Sequence, residues 1–223
     1  MYRPSDNLSQ ALSAAAFAAL GVLVAVGALT WLDQWACDHL MPFAGPVTGG
    51  SPSFLESLVP LYHASWETAG VAVTQIVTLP GQVLISFALV AVGAWKLRAP
   101  VWVVAWLGAV VLEVVLRHTL TRPALYRDGV HVTAFDSSWP SGHALRCALV
   151  AAVFAAAWPR ARTALVAWLI AAAVLLELAG FHTPTDVAGG LLLALLACGA
   201  AWSAGAARTR AARTGAGRTF GEP

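Results

Sequence analysis

Three short stretches hold the side chains best suited to chemistry. The first is Pro140-Ser141-Gly142-His143, at the mouth of an apolar run, with Arg146 one turn further in. Ser141 is a natural helix N-cap, and Gly142 lets backbone amides approach a ligand closely. The free amides of a helix start form an anion site, where His143 is placed to protonate a leaving oxygen. A plain Ser-capped helix after Pro140 reads equally well from local rules. Yet these four residues in this order arise by chance only about once per thousand chains of this length.

The second stretch is His182-Thr-Pro-Thr-Asp186. Residues four apart share one face if the turn is helical. A carboxylate on one ring nitrogen fixes the tautomer, frees the other lone pair and stabilises positive charge on the ring. That arrangement makes a histidine a nucleophile. The alternative is that Asp186 caps the following helix and His182 is an interfacial loop residue. The third stretch, residues 113–127, carries Arg117 and Arg122. Both are permanent cations able to hold a phosphate through paired N–H groups, or to anchor in lipid headgroups. Glu113 stands four before Arg117 and should pair with it.

These stretches need elements to position them, and the composition says of what kind. Of 223 residues, 59% are hydrophobic and 11% charged, and the mean hydropathy is +0.72. Soluble domains carry about 25% charged residues, so this chain reads as an integral membrane protein. A net charge of +2 gives no case for nucleic acid. Cys37, Cys147 and Cys198 lack metal-ligand spacing and read as small apolar fillers. His39, His63, His118 and His131 share no spacing either, and no metal or other cofactor is expected.

Six segments can span a bilayer: 11–32, 81–95, 101–116, 142–158, 164–180 and 186–202, the second with an apolar stretch ahead of Pro80. The first reads as an uncleaved helix. Arg3, Lys96, Arg98, Arg160, Arg162 and the arginines after residue 207 fall on one side, which the positive-inside rule makes cytoplasmic. An even number of spans puts both termini there. Arg117, Arg122, Arg127 and Arg146 fall on the other side, with all three chemical stretches. Trp31, Trp95, Trp139, Trp158 and Trp202 lie near predicted helix ends, as interfacial anchors should. The outer connections 33–68 and 121–140 are rich in Pro and Gly, with a short interfacial helix expected at 53–59. Residues 1–207 form one domain, and 208–223 an Arg-rich tail expected to be disordered or to lie on anionic lipid.

Taken in order, the three stretches resemble the type-2 phosphatidic-acid phosphatase superfamily, relatives of the vanadium haloperoxidases. Its pattern is Lys-x6-Arg-Pro, then Pro-Ser-Gly-His, then Ser-Arg-x5-His-x3-Asp. Residues 140–143 match the second motif in full. His182 and Asp186 match the end of the third, and Gly189-Gly190 follows as it often does there. Arg122-Pro123 matches the end of the first, but Val115 then stands at its lysine position; in another register Arg117 replaces the lysine and Ala124-Leu125 fall at Arg-Pro, and in the third motif Leu175-Leu176 stand at Ser-Arg. The resemblance implies an all-α bundle of six transmembrane helices with extracytoplasmic active-site loops, in the plasma membrane. It implies a lipid phosphate phosphatase that needs no metal. His182 would attack phosphorus, oriented by Asp186, to give a phosphohistidine. His143 would protonate the leaving group, while Ser141, Gly142 and the arginines carry the phosphoryl charge. The substrate would be a phospholipid or prenyl (pyro)phosphate, with membrane lipids as further partners. The alternative is a catalytically silent protein of the same fold that binds lipid phosphates.

Arg146 decides much between the two. Three residues after His143, it lies near the same helix face. It either replaces the missing third-motif cation beside Arg117 and Arg122, or it forms a buried ion pair with Glu177.

Overall fold

The computed structural model describes the backbone of residues 4–41 and 66–216, and the side chains of 8–41 and 69–207. Among the described residues the protein is all-helical apart from one small hairpin. Helix α1 (Pro4–Ala25) is followed by α2 (Thr30–His39), α3 (Trp66–Thr78) and α4 (Val83–Leu97). Then come α5 (Val101–Thr119), the strands β1 (Tyr126–Arg127) and β2 (Val130–His131), α6 (Gly142–Ala157), α7 (Arg162–Leu178) and α8 (Pro184–Ala216).

The core lies around α6. Ala144, Leu145, Cys147, Leu149, Val150 and Val153 on this helix are all buried, packed between α4, α5, α7 and α8. Its alanines and Gly93, whose Cβ would press on Val153, allow the neighbours close. Trp102 and Trp106 of α5, Val90 of α4 and Leu193 of α8 complete the central cluster. The outer helices expose Leu84, Trp95, Val104, Val111, Ile170 and Leu195. An apolar core wrapped in an apolar exterior is the pattern of a chain whose solvent is lipid. Two indoles on lipid-facing helices satisfy their N–H groups as that solvent demands: Trp106 Nε1 donates to Ser86 Oγ at 3.2 Å, and Trp168 Nε1 to the Val77 carbonyl at 2.9 Å.

Of the six expected spans, four or five are matched by length and composition. Among the described residues, four helical stretches are long and apolar enough to cross a membrane: Leu8–Ala25, Val101–Thr119, Pro159–Leu178 and Pro184–Ala207. Ala69–Gly81 and Val83–Leu97, bent by 44°, make a fifth if they are one broken span. The remaining expected span is α6, a shorter apolar helix of 16 residues. The break at Leu79–Gly81 is a 3-10 turn carrying Pro80, which cannot donate a backbone N–H.

Segment 11–32 is not one helix. It stops at Ala25, turns through Gly27 at φ +76°, and restarts as α2. A side chain at Gly27 would meet the Pro123 ring at 2.8 Å. The stretch expected as outer loop from residue 33 therefore begins with most of a helix. The helix expected at 53–59 lies outside the described residues. Residues 208–216 of the expected tail continue α8 as helix. Between α5 and α6 the chain forms a two-residue hairpin turn at Asp128-Gly129, both with positive φ. The antiparallel bundle gathers the end of α5, the starts of α6 and α8, the end of α7, and α2 at one end. Lys96, Arg98, Arg160 and Arg162 mark the other.

Candidate active site

The turn at 139–143 is fixed from both sides. Trp139 is expected as an interfacial anchor but is 2% exposed. It stacks on Phe17 of α1 at 5.2 Å between ring centroids. A Cβ at Gly189 would press on its indole nitrogen at 2.6 Å. Ser141 caps α6: its Oγ accepts the Ala144 N–H at 3.2 Å, and its own N–H donates to the Asp186 carbonyl at 2.9 Å. A side chain at Gly190 would run into the Ser141 carbonyl, and one at Gly142 into the Glu113 carboxylate. Glycine is therefore required at both positions for α8 and α5 to reach the cap.

The start of α8 is a capping box. The Thr183 N–H donates to Asp186 Oδ2 at 3.0 Å, and the Asp186 N–H to Thr183 Oγ1 at 3.4 Å. Asp186 is thus a helix cap and a neighbour of His182 at once, since its Oδ2 lies 3.8 Å from His182 Nδ1. Of the two sequence readings of this residue, the helix cap is formed, and the carboxylate stands next to the ring without a hydrogen bond to it. His182 is 6% exposed, and its Nδ1 has no hydrogen-bond partner. Its ring lies 6.0 Å from that of His143, centroid to centroid. His143, His182, Asp186 and Ser141 therefore meet at one end of the bundle.

The arginines do not line this cleft as free cations. Arg122, 3% exposed, donates through Nη1 to Asp186 Oδ1 at 3.0 Å and through Nη2 to Asp33 Oδ2 at 2.5 Å. Asp33 on α2 also accepts from Thr185 Oγ1 at 2.6 Å and Thr185 N at 3.1 Å. Burial, and to a lesser degree the Asp186 carboxylate, push its carboxyl up from the ordinary value, while Thr185 and Arg122 oppose the push. Three donors meet the Asp33 oxygens, which favours the ionised form. Ser138 Oγ adds a 2.6 Å hydrogen bond to Asp186 Oδ2.

Arg146 does not pair with Glu177. Its Nη1 donates to Glu113 Oε2 at 2.7 Å and its Nε to the Gly81 carbonyl at 2.5 Å. The Glu177 pair is therefore overturned: Glu113 is the buried carboxylate within reach, just behind Gly142. Glu113 Oε1 also lies 3.5 Å from Arg117 Nη1, as the four-residue spacing predicted. Arg117 is the most accessible of the three arginines, with 37% of its side chain exposed, and its Nε donates to the Ser137 carbonyl at 2.7 Å.

Sequence reasoning missed Asp33, Ser138 and Thr185 and gave Glu113 one partner too few. A lone acidic residue after a long apolar run was the available signal for Asp33. Among the described residues no three His, Cys, Asp or Glu side chains are grouped as a metal site. A cleft lined by Trp95, Lys96, Arg98 and Pro100 lies at the far end of the bundle and touches none of these groups.

Residues 103–210 match the family model of the PAP2 superfamily. That span includes both histidines, Asp186, the 140–143 turn and all three arginines, and excludes Asp33. Comparison with curated proteins and with solved structures gave no match.

Proposed function

Because the chain belongs to the PAP2 superfamily of phosphatases, we propose that it removes a terminal phosphate from a lipid in the membrane. The substrate class is a phospholipid such as phosphatidate, or a prenyl phosphate or diphosphate. The reading rests above all on His182, held beside Asp186 and facing His143 across the Ser141-capped start of α6.

In the proposed reaction His182 Nε2 attacks phosphorus as the P–O bond to the lipid alcohol breaks. The proton needed by the leaving oxygen comes from His143. Water then attacks the phosphohistidine, the N–P bond breaks, and His143 takes the water's proton. Ser141 Oγ keeps its own proton free to donate to a phosphoryl oxygen. The first amides of α6 have no partner within the helix and add further donors. Arg117 is the accessible cation of the site. Arg146 acts from behind Gly142, its charge shared with Glu113. Arg122 steadies Asp186 rather than touching phosphate. No metal or cofactor enters this scheme. The site faces the extracytoplasmic side of the plasma membrane and both termini are cytoplasmic, a reading supported by the basic residues at the opposite end.

One observation favours the silent alternative, a lipid-phosphate-binding or accessory protein of the same fold. Arg122 and Arg146 are both held by carboxylates, which leaves Arg117 as the main counter-charge. Purified full-length protein incubated with phosphatidate, a prenyl diphosphate and a prenyl phosphosugar separates the readings. Phosphate release that disappears in His182→Ala supports the enzyme. Release that survives the change means the nucleophile is misassigned. Binding without release from any of these substrates supports the silent form.

A further inference from the structure

Asp33 lies outside the span that matches the family model, yet it is buried against the site. It comes from α2, 152 residues from Thr185, whose amide and hydroxyl it accepts at 3.1 and 2.6 Å. It also holds one arm of Arg122, whose other arm is on Asp186. All three ionic side chains are at most 3% exposed. Water therefore screens their charges weakly, and the sum of those charges acts on whatever lies next to them.

That sum matters for His182. If Arg122 and Asp186 stood alone, they would cancel. The ring would then have no net counter-charge when it becomes cationic, by protonation or by bonding to phosphorus. Asp33 changes the balance: one cation and two carboxylates leave the cluster at minus one. We propose that Asp33 is a positioning residue of this site, supplying through Arg122 and Thr185 the negative charge that Arg122 removes from Asp186, so that His182 keeps an anionic neighbour. The proposal rests on His182 being the nucleophile in the reaction above. It gives Arg122 and Asp33 a joint role: Arg122 ties Asp186 to α2, and Asp33 offsets the tie.

Other charged groups also face His182. His143 comes from α6 at 6.0 Å between ring centroids. Glu177 on α7 is within electrostatic range of Asp33 and Asp186. Arg117 and Arg146 are within electrostatic range of the His143 ring. None of these changes in the variants below, so only the sum over Asp33, Arg122 and Asp186 differs.

The test is a pH titration of ring-labelled histidines by NMR, on the full-length protein in detergent, with His182 assigned by His182→Gln. Asp33→Asn brings the cluster to zero, and the His182 midpoint should fall by about one pH unit. Arg122→Gln brings it to minus two, and the midpoint should rise by a similar amount. The double variant restores minus one, and its midpoint should return close to that of the parent. A purely structural role for Asp33 predicts the reverse for the pair, with the double variant disturbed more than either single one. An unmoved midpoint in Asp33→Asn, or a double variant displaced further than the single one, overturns the proposal. Should Asp33→Asn not fold, Arg122→Gln alone decides: a rise supports the charge balance, and no change or a fall rejects it. Phosphate release is not the readout. An inactive parent protein would sink the phosphatase reading, while the direction of the midpoint shifts would still support or reject the charge balance.

Discussion

Glu113 stands between two arginines, Arg146 on one oxygen and Arg117 on the other, and its placement can be probed directly. Removing it by Glu113→Ala leaves Arg146 as a buried, unpaired cation, a change that costs about 3–5 kcal/mol in buried pairs. A marked fall in the thermal midpoint of the detergent-solubilised protein is expected. Replacing both partners, Glu113→Leu with Arg146→Met, should recover much of the loss, because two desolvated charges leave together. An additive effect of the two changes would speak against the pair. Arg117 behaves differently, because its side chain is part-exposed. Arg117→Gln should raise KM about tenfold while leaving the folded protein intact, since one charge-assisted hydrogen bond is worth roughly 1.5–3 kcal/mol. His182, Asp186 and Ser141 could be placed from sequence because their spacing is local to one turn or one cap. The partner of Arg146 could not. Glu113 and Glu177 are both lone acids on apolar helices, and only the packing of α5 against α6 brings the first within reach.

The start of α8 shows how one element serves several tasks. Thr183, Pro184, Thr185 and Asp186 form an N-terminus readable from residue types alone, with Thr at the cap and Pro at the first helical position. What spacing could not reveal is that the capping carboxylate also meets His182, Arg122 and Ser138. Thr183→Val removes the cap hydroxyl while keeping the side-chain volume. It should cost about 0.5–2 kcal/mol of stability and lower phosphate release by loosening Asp186. Circular dichroism melts and the release assay check the two effects separately. Gly190→Ala is a sharper change, because its Cβ has no room beside the Ser141 carbonyl. Overpacking of this kind costs about 1–3 kcal/mol, and here it would push the cap of α6 away from α8. The errors at this scale share one cause. Segment 11–32 is uninterrupted in hydropathy, and its break at Gly27 is tied to Pro123, far along the chain. Trp139 sits where an anchor should, but Phe17 and Gly189 bury it, and neither is near it in sequence.

At the scale of the whole molecule, membrane character was legible in composition, and the grouping of the three chemical stretches at one end was legible in charge. The span count was harder, because α6 is short and the α3–α4 pair is bent at Pro80. Those features answer to neighbouring helices, not to local hydropathy. The orientation predicts opposite labelling at the two ends. In a background freed of native cysteines, Val130→Cys should react with a membrane-impermeant thiol reagent on intact cells. Arg160→Cys should react only after the cells are opened, and the reverse pattern would invert the topology. In the proposed reaction His182 carries the phosphoryl group in transit. The most direct test is to quench the protein during turnover of a radiolabelled lipid phosphate and look for label that is acid-labile and base-stable, as phosphohistidine is. Such label is expected on the parent protein and none on His182→Ala. Label that persists in His182→Ala, or turnover by the parent with no label at all, would contradict it.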